Sequence, residues 1–173
     1  MAGPFQVLSE CGVPLLVIGP HAAVAHHCAC ETRELECAIT TSSESTFGHY
    51  LALNGWNTVY RTPFFSKYRQ LSTGNPVIKV KFLDATTFQR LVAASVEFTF
   101  DDVALRVPSL MHLIAMKLQD LKTEPHREID ELPEILALLR ANSGRWDPAE
   151  LAACSERFGP PGICERLTHR LGN

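Results

Sequence analysis

Val13-Pro14-Leu15-Leu16-Val17-Ile18-Gly19-Pro20, followed after thirteen residues by Glu34-Leu35-Glu36-Cys37-Ala38-Ile39, is the stretch on which the fold turns. Its first half reads as an apolar strand running into a glycine turn. Residues 21–31 are rich in Ala and His and read as a helix, with Pro20 acceptable at the first position because its missing N–H would be unpaired there anyway. The second half alternates, so Glu34 and Glu36 leave the backbone on one side while Leu35 and Cys37 leave on the other. Two neighbouring carboxylates on one side of a strand repel, which predicts a cation between them. A glycine turn that opens onto a helix N-terminus also favours phosphate.

Working outward, residues 4–11 predict a short leading helix, and Ser42-Ser43-Glu44 the start of another that carries Phe47, Tyr50 and Leu51 as far as Asn54-Gly55. Strands are expected over 57–61 and 64–72. After the turn Thr73-Gly74-Asn75-Pro76 comes the clearest strand signal in the chain, Val77-Ile78-Lys79-Val80-Lys81-Phe82-Leu83. A short helix over 86–93 and a hairpin turning at Asp101-Asp102 complete this part. From Pro108 the pattern is helical: Ser109 is placed to cap a helix carrying Leu110, Leu113, Ile114 and Leu118. Residues 128–140 form a second helix, Asp147-Pro148 opens a third, and Gly159-Pro160-Pro161 closes it before a final short one.

The 173 residues, 46% hydrophobic and 20% charged, suit one soluble domain, or one domain with a helical appendage. There is no run of eighteen apolar residues and no basic-then-apolar leader, so a cytoplasmic protein without a membrane role is expected. The six cysteines read as buried reduced thiols rather than disulfides. His26-His27-Cys28-Ala29-Cys30 holds metal-ligand residue types, but one helix cannot turn them all toward a tetrahedral ion, and core packing of the thiols is the favoured reading. The net charge of −3 does not itself indicate a nucleic-acid partner. Its distribution says more: no acidic residue lies between Glu44 and Asp84, while Arg61, Lys67, Arg69, Lys79 and Lys81 do, interleaved with aromatic residues. That arrangement suits a groove for a triphosphate or an RNA end, or else solvated lysines on an outer strand face.

The Ile18-Gly19-Pro20 turn, the following helix and Glu34-Leu35-Glu36 resemble the opening of the nucleotidyltransferase superfamily, with its polymerase-beta-like palm. The helix around Lys117 and the segment Glu131-Leu132-Pro133-Glu134 are similar to the helical part of abortive-infection toxin-type members, and the resemblance covers residues 13–140. It implies an α/β (α+β) fold in which a palm of residues 1–107, a mixed twisted sheet with helices chiefly on one face, precedes a helical region of residues 108–173. The resemblance further implies that Glu34 and Glu36 hold magnesium if the site is active, that Gly19, Pro20, Lys79 and Lys117 face phosphate, and that Lys81 stands where relatives carry a third carboxylate. An ammonium about 4 Å from a divalent ion costs on the order of 8 kcal/mol at an effective dielectric near 20.

The expectation is therefore a degenerate site without a cofactor, with the Lys81 ammonium paired to Glu34 and Glu36, acting on a nucleotide, another anion or a protein partner. An active metal-dependent nucleotidyltransferase and a toxin–antitoxin-type interaction module are the alternatives.

Overall fold

The computed structural model describes residues 3–29, 32, 34–71 and 76–172. The chain divides into two compact units, Met1–Ala22 with Cys30–Pro108, and Ala23–Ala29 with Ser109–Asn173.

In the first unit, helix α1 (Pro4–Ser9) and strand β1 (Leu16–Ile18) lead directly into helix α2 (Gly19–Ala25), whose residues from Ala23 on belong to the second unit, and β2 (Glu34–Thr40) follows. A single 3-10 turn then opens α3 (Glu44–Leu53), succeeded by β3 (Trp56–Arg61), β4 (Phe65–Gln70) and β5 (Val77–Leu83). Helix α4 (Ala85–Ala93) is capped by the Asp84 carboxylate, which accepts from the Thr87 N–H at 2.9 Å. The hairpin of β6 (Val96–Phe100) and β7 (Val103–Val107) turns at Asp101 and Asp102, both with positive φ, as a two-residue hairpin turn demands.

The five-stranded sheet has the order β1-β2-β5-β4-β3. β2 and β5 run parallel while the other neighbours are antiparallel, so the sheet is mixed. Alternation divides it into two faces. Leu35, Cys37 and Ile39 of β2, Ile78, Val80 and Phe82 of β5, and Tyr68 of β4 are all buried on one of them. Helix α3 lies on this core face, where the Phe47 ring meets Tyr68 edge-on at 6.2 Å. The opposite face carries the charges.

The second unit holds α5 (Leu110–Thr123), α6 (Glu128–Ala141), α7 (Pro148–Phe158) and α8 (Ile163–Leu171). The Ser109 hydroxyl caps α5 and the Asp147 carboxylate caps α7, as their positions predict. Pro133 is accommodated inside α6. The helix expected over 21–31 is shorter than its composition suggests. His27 adopts φ +61° and the Cys28 N–H reaches back to the Ala23 carbonyl at 2.9 Å. This is a left-handed helix stop of the kind usually built on glycine. Asn142, buried, fixes the turn by donating to the His26 carbonyl at 2.6 Å and to the Leu138 carbonyl at 2.9 Å. Cys11, Cys28, Cys37 and Cys154 are free and buried and Cys164 is half-buried, in line with the reduced-thiol reading. Cys30 and the turn residues 73–75 lie outside the described residues. Among the described residues no helix is long and apolar enough to cross a membrane.

Where α7 turns toward α8, a Cβ on Gly159 would stand 2.7 Å from the Ser155 carbonyl oxygen and 2.5 Å from Ile163 Cγ2. The carbonyl is fixed by the helix and cannot yield. Gly159→Ala is expected to cost about 1–3 kcal/mol, read as a lower urea midpoint at unchanged slope.

Candidate functional site

The charged face of the sheet is set by register. Parallel pairing places Glu36 beside Lys79 and Ala38 beside Lys81, and antiparallel pairing places Lys79 opposite Lys67. Each of the two glutamates has an ammonium of its own. Lys79 Nζ lies 3.4 Å from Glu36 Oε2, and Lys67 Nζ lies 2.6 Å from Glu34 Oε1. All four side chains are partly exposed, so each pair contributes at most about 1 kcal/mol. Their larger effect is to offset two like-charge contacts, Glu34 with Glu36 and Lys67 with Lys79.

Two residues per pleat carry Lys81 one step past Lys79, to a place between Ala38 and Phe65, while Lys79 pairs with Glu36 and Lys67 with Glu34. The sequence names Lys67 among the cations between Glu44 and Asp84, but not as the partner of Glu34. The signal that could have found it was available: a hairpin folded about residue 73 pairs 67 with 79.

Gly19 meets the acidic pair from the other side. It has φ +62°, and a Cβ there would stand 2.9 Å from Glu36 Cδ. The turn therefore packs its bare Cα on the carboxylate, and only glycine satisfies both the backbone angle and the space. Pro20 follows in the first turn of the short α2 and offers no N–H. His21 stands next to it. Its ring lies edge-on to Phe5 at 5.2 Å and to Phe100 at 6.2 Å. Burial lowers its pKa, opposed by the charges of Asp101 and Glu36.

Lys117 is also placed differently from expectation. Its side chain, 8% exposed, donates to Glu131 Oε2 at 3.0 Å and to Glu134 within the helical unit. Arg127 joins Glu131 from the preceding turn. Burial works against the Lys117 charge, but the two glutamates outweigh it and hold its pKa above the ordinary lysine value. The ammonium that was expected to face phosphate is committed to a buried ion network. Among the described residues no three or more His, Cys, Asp or Glu side chains gather as a metal cluster.

Two predictions follow from this geometry. Gly19→Ala should destabilise the protein by about 1–3 kcal/mol, and part of that cost should vanish in a Glu36→Ala background, measured as a double-mutant cycle of urea midpoints. Lys117→Met should cost about 3–5 kcal/mol, since it leaves buried carboxylate without its partner. Because the folded pKa of Lys117 is raised, its contribution is fully present below the unfolded value of about 10.4 and is lost as pH rises through the folded value. The stability gap between wild type and variant should hold steady from neutral pH to about 9 and narrow only above about 10.5.

No protein-family model matches the sequence, and no curated protein matches it significantly. Solved structures do match. ANT(2'')-Ia in complex with adenylyl-2''-tobramycin superposes with a TM-score of 0.65 at 10% identity, covering 88% of this chain and 93% of that one. The lincosamide antibiotic adenylyltransferase LnuA, lincomycin-bound, gives 0.54 at 11% identity over 76% and 89%. An antigenic nucleotidyltransferase-like protein from Paracoccidioides brasiliensis gives 0.54 at 11% identity over 95% and 88%. With the glycine turn, the acidic strand and the mixed sheet in this order, the chain shares the fold of these nucleotidyltransferase structures.

Proposed function

We propose that the chain is a nucleotidyltransferase-like protein with a degenerate metal site, and that it binds a phosphate-bearing anion, a nucleotide in the first instance, on the charged sheet face without magnesium. The observation that carries this reading is Lys79 beside Glu36. Magnesium demands oxygen ligands in near-octahedral geometry. The two carboxylates on this face are engaged by ammoniums, and β5 brings a lysine to Glu36 where a further carboxylate would be needed. A divalent ion on Glu36 would meet the Lys79 ammonium at a cost on the order of 8 kcal/mol at an effective dielectric near 20. The donor set does not fit a pair of magnesium ions.

What remains suits an anion. Lys67, Arg69, Lys79 and Lys81 share the face with Glu34 and Glu36, four positive charges against two. The role a metal would have in neutralising phosphate falls to tethered ammoniums, and Arg69 is exposed. The fold accommodates ligands of this kind elsewhere: the ANT(2'')-Ia structure holds an adenylylated tobramycin. Metal-dependent nucleotidyl transfer is the competing reading, favoured by the retention of two acids on one strand face with Gly19 packed against them.

Labelled nucleoside triphosphates separate the two. Fluorescence anisotropy should report the same affinity in EDTA as in magnesium, with no label transferred to protein or RNA acceptors. Binding that requires magnesium, label transfer, or no binding in either buffer would overturn the proposal. Lys79→Asp is expected to raise manganese affinity at least about tenfold by calorimetry, roughly the 1.4 kcal/mol that one further carboxylate should supply. Unchanged affinity would mean that Lys79 does not hold the metal's place.

A further inference from the structure

The charged face continues past the lysines onto the outer strands, where it changes character. Among the described residues strand β3 pairs only with β4 and forms the edge of the sheet. Its register slips between Thr58 and Tyr60, a bulge that leaves Val59 as the extra residue. Without the bulge, Tyr60 would sit on the core face with Thr58, and Arg61 would join the lysines. With it, Tyr60 pairs with Lys67 and Arg61 pairs with Ser66. Bulges re-aim side chains in this way. Arg61 is thereby turned to the core face, where Glu44 of α3 neutralises it at 2.8 Å, and an aromatic ring is delivered to the cationic face.

That ring finds company. Tyr60 and Phe65 lie 5.5 Å apart with their planes tilted by 30°. The Lys79 ammonium stands over the Phe65 ring, 5.6 Å from its centroid. Tyr60 is 53% exposed, and Phe64, in the turn between the two strands, is 73% exposed. Arg69 and Asn57, paired across β3 and β4, are exposed on the same side. An exposed tyrosine ring backed by the half-buried Phe65 and flanked by cations on the sheet face offers stacking to bases and ion pairing to phosphates. These are the two components of single-strand recognition. A duplex keeps its bases stacked inside and would use the cations alone.

We propose that the β3–β4 end of the charged face binds single-stranded nucleic acid, with one base stacked on Tyr60 and its neighbouring phosphates held by Arg69 and Lys67. The proposal rests on the reading of this face as an anion-binding surface and names its ligand. The absence of any acidic residue from 45 to 83 disfavours a basic partner, and the Tyr60–Phe65 pair distinguishes an oligonucleotide from an acidic polypeptide, which presents charge but no bases.

The test is anisotropy with labelled single-stranded RNA and DNA twelve-mers of one mixed sequence, the corresponding duplexes, and poly-glutamate, all in EDTA. Working in EDTA makes the result independent of whether Glu34 and Glu36 take up metal. Single strands should bind, duplexes and poly-glutamate at least about tenfold more weakly. Tyr60→Ala, an exposed substitution whose folding is checked by circular dichroism, should weaken single-strand binding roughly tenfold while Tyr60→Phe retains it. Arg69→Gln should reduce the slope of log affinity against log salt by about 0.7. The RNA and DNA arms show whether the 2'-hydroxyl matters. Equal binding of duplex or poly-glutamate, no single-strand binding at low salt, or indifference to Tyr60→Ala would each overturn the proposal, the first in favour of a purely electrostatic or protein-binding surface. Retained mononucleotide binding alongside such a failure would leave the anion-site reading standing and remove only the stacking platform.

Discussion

The parallel register of β2 with β5 is the constraint on which the sheet depends. Glu34 and Glu36 repel one another along β2, and Lys67 and Lys79 repel across β4 and β5, yet pairing of the strands brings the four together so that each repulsion is offset by an attraction. Partly exposed pairs of this kind add little individually. Their effect is on specificity: a one-residue slip of β5 would turn Lys79 and Lys81 into the apolar face and bring Ile78 and Val80 out to the glutamates. Hydrophobic alternation and charge complementarity therefore select the same register, and that agreement is what makes the pairing unique.

The same face logic governs the sheet edge. A bulge of one residue exchanges Tyr60 and Arg61 between faces, and both exchanges find partners, Phe65 for the ring and Glu44 for the guanidinium. Edge strands left flat and apolar invite uncontrolled pairing, and a bulge is one of the ways natural sheets blunt them. Here the bulge also determines what the cationic face displays.

Much of this was legible in the sequence. Strands β2, β5, β6 and β7 announce themselves by alternation, and the caps at Ser109 and Asp147 by residue type and position. The acidic pair and its glycine turn were legible because they are local: one strand, one turn and a short helix between them. What the sequence left open was which residues of distant strands become neighbours. Lys81 and Lys79 have the same parity on β5, so alternation assigns both to the charged face and cannot say which stands beside Glu36. The answer depends on where β2 and β5 begin to pair. Lys67 and Tyr60 were hidden for the same reason, Tyr60 doubly so, since a bulge reverses the parity that a sequence reading relies on. Lys117 was misplaced because a helical heptad says which face is apolar but not that Glu131 and Glu134 of another helix will close on a lysine at its margin.

A carboxylate pair with no cation beside it is a liability, because nothing then screens the repulsion. A bound ion stabilises the folded state only in proportion to the logarithm of its concentration over its dissociation constant. An ammonium carried by the neighbouring strand stabilises at every ion concentration, and its conformational cost is small because the strand holding it is already ordered. Lys79 and Lys67 thus keep the acidic strand compatible with a packed sheet whether or not magnesium is present. On the function proposed above, the same lysines would also make a divalent ion's entry unfavourable. The anion binding proposed for this face would draw on the charge left over, four cations against two carboxylates.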